Sequence, residues 1–248
     1  MSWAGRRKGL YIGTASAIFI LFVGSLGYII FSKQPTCSDQ IRNGEEVGVD
    51  CGGACSRMCT EDVSAPVVLW NRFFEVAPNI YTVAAYIQNN NNNAYVPSAP
   101  YIFKLFNSEN VLIAERQGVA SIGLGDKTII VESNIATGNR VPARTFFEFT
   151  NKSLVWERGE LPKIEVSTPT PDFANRRVSV VVRNNSTKEV RDLPVSIVLF
   201  DASETAIAAS ESLITRLVKG GSETVIFTWP MNFPVQPITA DVRARITP

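Results

Sequence analysis

Histidine is absent from all 248 residues. The commonest general base and the commonest transition-metal ligand are therefore missing, and with them any Ser-His-Asp or Cys-His pair. Net charge is nearly absent too. With 24 Lys and Arg against 23 Asp and Glu, the chain has no long-range field to gather nucleic acid. Charged residues make up 19% of the chain, where a soluble domain usually has about a quarter. No glycine-rich loop ends in Gly-Lys-Ser/Thr, which excludes a P-loop. Carboxylates on separate strands can converge for glycoside hydrolysis, but nothing in their spacing here selects a pair. These absences point away from an enzyme and away from a nucleic-acid partner. Cysteine is missing from everything but one short stretch, since all 4 lie within residues 37–59.

The N-terminus sets the compartment. Residues 9–31, "GLYIGTASAIFILFVGSLGYIIF", carry no charge. At about 1.5 Å per residue, a helix over this stretch spans roughly 35 Å, enough for a bilayer core with some tilt. It lacks the polar stripe that a buried core helix of that length shows. Arg6, Arg7 and Lys8 precede it and only Lys33 follows closely, so positive charge keeps the first residues in the cytoplasm and sends the rest outside. A cleaved signal peptide would have a shorter apolar run and a small-x-small exit, and "GYIIFSK" offers none. An uncleaved, single-pass signal anchor is expected, located in the cell membrane. Gly9, Gly13 and Ala17 share one helical face, where a second helix can approach closely.

Four cysteines on the oxidising side of a membrane are an even number and predict two disulfides from Cys37, Cys51, Cys55 and Cys59. Three pairings are open. Structural zinc prefers C-x2-C pairs, which the C-x13-C-x3-C-x3-C spacing does not supply. So short a stretch cannot bury a sufficient core, and cross-links replace the missing hydrophobic stabilisation. Asp39, Asn43, Gly44 and Asp50 fall at positions 1, 5, 6 and 12 of an EF-hand-like loop, although Ile41 stands at position 3. Asp39, Asn43, Glu45 and Asp50 are thus a candidate calcium set. The alternative is that these groups cap turns. No other cofactor is expected.

"CSDQIRNGEEVGVDCGGACSRMC" resembles a small Cys-rich module, written C-x-D-G-x-x-N-x-x-E-x-x-V-D-C-G-G-x-C-x-x-C, of bacterial and archaeal exported surface proteins. Cys37, Asp39, Asn43, Glu46, Val49, Asp50, Cys51, Gly52, Gly53 and Cys55 match it; Gln40 replaces a glycine and one extra residue precedes Cys59.

From Ala65 onward the hydrophobic pattern has period 2. "YTVAAYIQN" places Tyr81, Val83, Ala85 and Ile87 on one face, and "RRVSVVVRN" does the same with Val178, Val180 and Val182. "VSIVLFD" sets Val195, Ile197 and Leu199 against Ser196, Val198 and Phe200. Short strands between Asn, Gly and Pro clusters predict sandwich architecture. The pattern also repeats. A strand ends at Asn89 or Asn184, the next closes on Phe106-Asn107 or Phe200-Asp201, and a Gly-rich turn at 123–126 or 219–221 opens another strand. The break between copies falls near residues 157–163. This unit resembles the FxLYD and CARDB-like families of prokaryotic Ig-like domains, through Ile87-Gln88-Asn89, Leu105-Phe106-Asn107 and Gly125-Asp126 in the first copy. Val182-Arg183-Asn184, Leu199-Phe200-Asp201 and Gly220-Gly221 carry it in the second. The resemblance implies a binding or spacer module on the exported side.

The expected organisation is a mainly β protein: two tandem Ig-like β-sandwiches on an N-terminal single-pass helix, with a disulfide-rich module between. Its parts are a cytoplasmic tail at 1–8, the transmembrane anchor at 9–31, the cysteine module at 32–64 and sandwiches at 65–160 and 161–248. The Asn run 89–93 reads as a solvated hairpin loop, and Trp70, Trp156 and Trp229 as core. Asn151, Asn184 and Asn185 each begin an N-x-[ST] match. Residues 167–173, "STPTPDF", read as a loop between strands or a semi-rigid linker. Two stacked sandwiches would carry the outer tip on the order of 70–80 Å from the membrane. The expected role is a surface or adhesion-type protein that binds a protein or a cell-envelope polymer. The alternative is an accessory subunit of a membrane-embedded secretion, pilus or cell-envelope assembly.

Overall fold

A computed structural model describes residues 3–31, 36–151 and 153–246. The apolar N-terminal run forms α1 (Trp3–Phe31). Its segment Arg7–Tyr28 is long and apolar enough to cross a membrane, and none of it is buried inside the protein. The Thr14 and Ser25 hydroxyls donate back to the carbonyls of Leu10 (3.0 Å) and Phe22 (2.9 Å), so neither carries an unmet donor into an apolar surround.

The rest is antiparallel β. β1 (Val67–Ala77), β2 (Ile80–Gln88), β3 (Val96–Phe106), β4 (Leu112–Ile122), β5 (Lys127–Ala136) and β6 (Arg144–Phe149) build the first sandwich. Its sheets have strand orders β1-β2-β5 and β4-β3-β6. β7 (Ile164–Val166), β8 (Thr170–Asp172), β9 (Arg177–Asn184), β10 (Val190–Phe200), β11 (Ala206–Leu217), β12 (Ser222–Thr228) and β13 (Thr239–Ala244) build the second. There β12-β9-β7, with β8 also on β9, faces β11-β10-β13. The period-2 residues point inward as expected. Val83, Ile87, Phe103, Leu105 and Ile130 fill the first core, and Val180, Val182, Leu193, Ile197 and Leu199 the second. Residues 167–172 are part of a broken edge strand, and Phe173 opens a 3-10 turn: β7 ends, the chain passes Pro169, and β8 resumes on β9.

The internal repeat extends to individual hydrogen bonds. Asn107 Oδ1 accepts from the amides of Glu109 and Val111 (3.0 and 2.9 Å), and Asp201 Oδ1 from those of Ser203 and Thr205 (both 2.9 Å). Each turn closes through a residue at positive φ, Asn110 (63°) or Glu204 (58°).

The Asn run is only in part a solvated loop: Asn90, Asn92 and Asn93 are exposed, but Asn89 and Asn91 are buried. Asn89 is fully buried, and its side-chain amide donates to the carbonyls of Ala94 (2.8 Å) and Gly123 (2.6 Å) while its Oδ1 accepts from the Asn91 amide (2.8 Å). Asn184 repeats this in the second sandwich, donating to Lys188 (2.8 Å) and Leu217 (3.0 Å) and accepting from Ser186 (2.9 Å). Each asparagine ties three chain segments at one end of its sandwich, in place of water. The burial also closes the Asn184 amide to modification. Asn184→Ala is expected to destabilise the second sandwich by about 2–4 kcal/mol, since each buried group left without a partner costs roughly 1–3 kcal/mol. Urea unfolding followed by tryptophan fluorescence measures it.

The two sandwiches do not stack end to end. The outer face of β1-β2-β5 lies against the outer face of β11-β10-β13. Phe74, Ala84, Tyr86, Ile129 and Val131 from the first bury Val198, Ala206 and Ala209 from the second. β2 is consequently buried on both faces over seven consecutive residues. The body is four sheets thick; Arg144, which pairs with Phe106 at the end of β3, and Asp201 at the end of β10 line one groove, so like ends lie together. The 70–80 Å tower is replaced by a shorter, broader block.

Candidate functional site

Three regions have the features of a site: the cysteine module, the seam between the sandwiches, and the end of the body away from the module. In the module, Cys37 pairs with Cys55 and Cys51 with Cys59. These links, with sequence separations of 18 and 8, close interleaved loops. Gly53 (φ +57°) lets the chain pass close to itself, for a Cβ there would sit 1.6 Å from the Glu45 carbonyl oxygen.

The candidate calcium residues serve this folding. Asp50 is buried and takes the Gln40 amide on both carboxylate oxygens (3.1 and 3.0 Å). Asp39 accepts from the Ile41 amide and from Asn43 Nδ2, both at 2.9 Å. The Glu45 side chain stays exposed. Among the described residues, the one group of three Cys/Asp/Glu side chains with ligand atoms within 4.8 Å of one another is Cys37, Glu46 and Cys55, and its two sulfurs are already joined. The carboxylates of Asp39, Glu45 and Asp50 do not form such a group; Asp39 and Asp50 hold turns. Glu46, not in the predicted set, supports them by accepting from the Asn43 and Asp50 amides (3.4 and 3.3 Å). Its place in the N-x-x-E run of the module was the available signal.

The module is docked rather than tethered. The Met58 amide donates to the Trp156 carbonyl and the Arg158 amide to the Ser56 carbonyl, both at 2.8 Å. Asn91 exchanges two 2.8 Å bonds with the Ser64 backbone. Met58, Ala94, Val96, Ile122, Leu154 and Trp156 form a common core under it. Trp156 and Trp229 are buried as expected. Trp70 is half-buried and belongs to the seam, stacked on Tyr86 at 5.3 Å and edge-on to Phe200 at 6.4 Å.

Polar groups close the seam at the module end. Arg243 spans it to Asp126 (2.9 Å) and also holds Asp241 (2.8 Å), which accepts from the Tyr86 hydroxyl. Ser121 donates across to the Ile246 carbonyl (2.9 Å). Burial and the Asp241 carboxylate push the Tyr86 phenol well above its usual value, so it stays a donor. Nearby, Glu211 accepts from Ser196 (2.7 Å) and Arg245 (3.3 Å). Burial raises the Glu211 carboxyl above the usual 4.5; Arg245 and the Ser196 bond oppose the rise, and Glu132 adds to it. The folded chain thus keeps this proton to higher pH than the unfolded chain. The associated stability is complete below 4.5 and is lost as pH climbs through the raised value. Glu211→Gln is expected to flatten that fall, read from melting temperatures across the interval.

At the opposite end, the open side of β1, the start of β6, the 201–205 turn and the 231–235 loop enclose a groove of about 870 Å³. Phe73, Phe74 and Ile207 line it, with Met231 and Val235 exposed at its rim. Arg72, Glu75, Arg144 and Asp201 supply charges of both signs. The hydrophobic pattern pointed to the strands around it, but only the side-by-side packing creates it.

No protein-family model matches this chain, and no curated protein matches it.

Proposed function

We propose that this is a single-pass membrane protein with its N-terminus in the cytoplasm, presenting the paired sandwiches outside to bind a protein or a cell-envelope polymer. Docking of the cystine module onto the first sandwich, immediately after a membrane-length helix, carries this reading. The four residues between Phe31 and Thr36 span no more than roughly 18 Å even when fully extended. The module therefore lies near the membrane exit as a rigid base. Disulfides persist on the oxidising side, and Arg6, Arg7 and Lys8 before the helix favour the same orientation. The opposite end, with its turns and groove, then faces outward. The repeated asparagine and Phe-Asn/Phe-Asp turns support assigning both sandwiches to the FxLYD and CARDB-like Ig-like domains.

The second reading, an accessory subunit of an envelope assembly, is favoured by the helix. Gly9, Gly13 and Ala17 share one helical face, where a second helix can approach closely. In-cell cross-linking of the tagged full-length chain separates the two. Under the first reading no membrane protein is recovered in constant ratio, and Gly9→Leu with Gly13→Leu changes nothing. A fixed set of membrane proteins, lost on those substitutions, would assign the chain to a machine.

A further inference from the structure

An unpaired strand edge borders the outward groove, and the second sandwich shows how the same edge can be closed. β1 pairs only with β2; among the described residues no backbone hydrogen bond is made on its other side. It runs from Val67 to Ala77 without a proline. The equivalent edge of the second sandwich is broken into β7 and β8 and carries Pro169 and Pro171, which have no amide hydrogen to offer. Prolines, breaks and charges are how exposed edges are normally kept from pairing. The second copy has the prolines and the break; β1 has neither, although it carries Arg72 and Glu75 and register shifts at Val68/Trp70 and Glu75/Ala77.

What flanks the open edge restricts what can occupy it. The groove runs beside Asn71–Glu75, with the start of β6 on one side and the 201–205 turn and 231–235 loop on the other. Its volume of about 870 Å³ lies in the range of ligand sites, about 300–1,000 Å³. It is apolar along Phe73, Phe74 and Ile207. Asn71 lines the groove, and its amide oxygen is buried with no donor among the described residues. A second whole sandwich would have to enter between these walls edge-first, bringing walls of its own. A single extended chain brings none.

We propose that this groove takes an extended peptide segment of a protein partner, added to the first sandwich as a further strand along β1, with alternate side chains on the apolar floor. This deepens the binding role proposed above and rests on it for its biological side, since it names the partner's chemistry as an extended polypeptide.

The test uses the full chain in lipid nanodiscs and a phage-displayed library of random peptides, the most enriched member then being synthesised. Ala143 is exposed and lines the groove, so Ala143→Trp fills it without entering the core. Val181→Trp, on the exposed outer face of the second sandwich, is the control. Binding is expected to fall at least about tenfold in Ala143→Trp and to be unchanged in Val181→Trp. Hydrogen exchange is expected to show amides within Asn71–Glu75 slowed by the peptide. No enrichment over background overturns the proposal, as does binding that ignores Ala143→Trp or leaves those amides unprotected. A dimer that Ala143→Trp converts to monomer also overturns it, giving the groove to a second copy. Cross-linking of the sandwiches to a non-membrane protein or an envelope polymer in cells, with no peptide enrichment, would remove the groove and keep the binding role. Peptide capture by a chain whose sandwiches prove cytoplasmic would do the reverse.

Discussion

Ala84→Arg is expected to part the two sandwiches while leaving both cores folded. Ala84 is fully buried, yet it belongs to the seam and not to the core of its own sandwich. Its side chain faces the small and apolar residues Val198, Ala206 and Ala209. A guanidinium placed there has no partner, and an uncompensated buried charge costs roughly 3–5 kcal/mol. Opening the seam restores its hydration without disturbing Val83, Ala85 or Ile87 on the other side of the strand. The expected readouts are a larger maximum dimension in small-angle scattering and new protease cleavage within residues 157–163. The near-ultraviolet signal of the Trp70–Tyr86 stack should also change. Val119→Arg, on the exposed outer face of β4, is the matched control and should do none of this. If Ala84→Arg leaves shape and cleavage unchanged, the seam does not hold the body together.

The second large effect is expected from replacing Cys37, Cys51, Cys55 and Cys59 by serine. Loops with separations of 18 and 8 are released, and each link contributes about 2–4 kcal/mol by restricting the unfolded chain. The module has little core of its own; Met58 and Trp156 are shared with the first sandwich. Its loss should therefore expose residues 37–63 to protease and lower the melting temperature of the first sandwich. Among the described residues the second sandwich has no part in that shared core and should keep its own melting temperature. Unchanged proteolysis and melting would show that the module is not a rigid base.

The sequence made some of this legible and hid the rest for physical reasons. The apolar run of α1, the inward residues of β2, β9 and β10 and the four cysteines each carry a local signal, and each fell where expected. The repeat was visible because two turns with the same job need the same residues, Asn107 or Asp201 accepting from the backbone two and four positions on. The side-by-side packing was harder, because a strand's outward face is normally free to be polar. Its trace was there: Tyr86, Val198 and Phe200 are large and apolar at positions that should face water, the mark of strands covered on both sides. Asn89 misled for the opposite reason. Its polarity suggested solvent, but its amide replaces solvent for three backbone groups. The acidic residues of the module left two readings open in the sequence, because turn-capping and ion binding call for the same side chains. The groove could not be found from either repeat alone, since two sandwiches build it together.

The central claim is that both sandwiches form one block on the cystine base, with equivalent ends aligned. Spin labels at Ser108 and Ala202, exposed at matching positions of the two turns, test it directly by pulsed dipolar spectroscopy. The labelled turns belong to sheets two layers apart, so a single narrow distribution near about 20–30 Å is expected from sheet spacings of about 10 Å plus the label arms. A distribution centred beyond roughly 40 Å, the length of one sandwich end to end along strands of this size, would contradict the account.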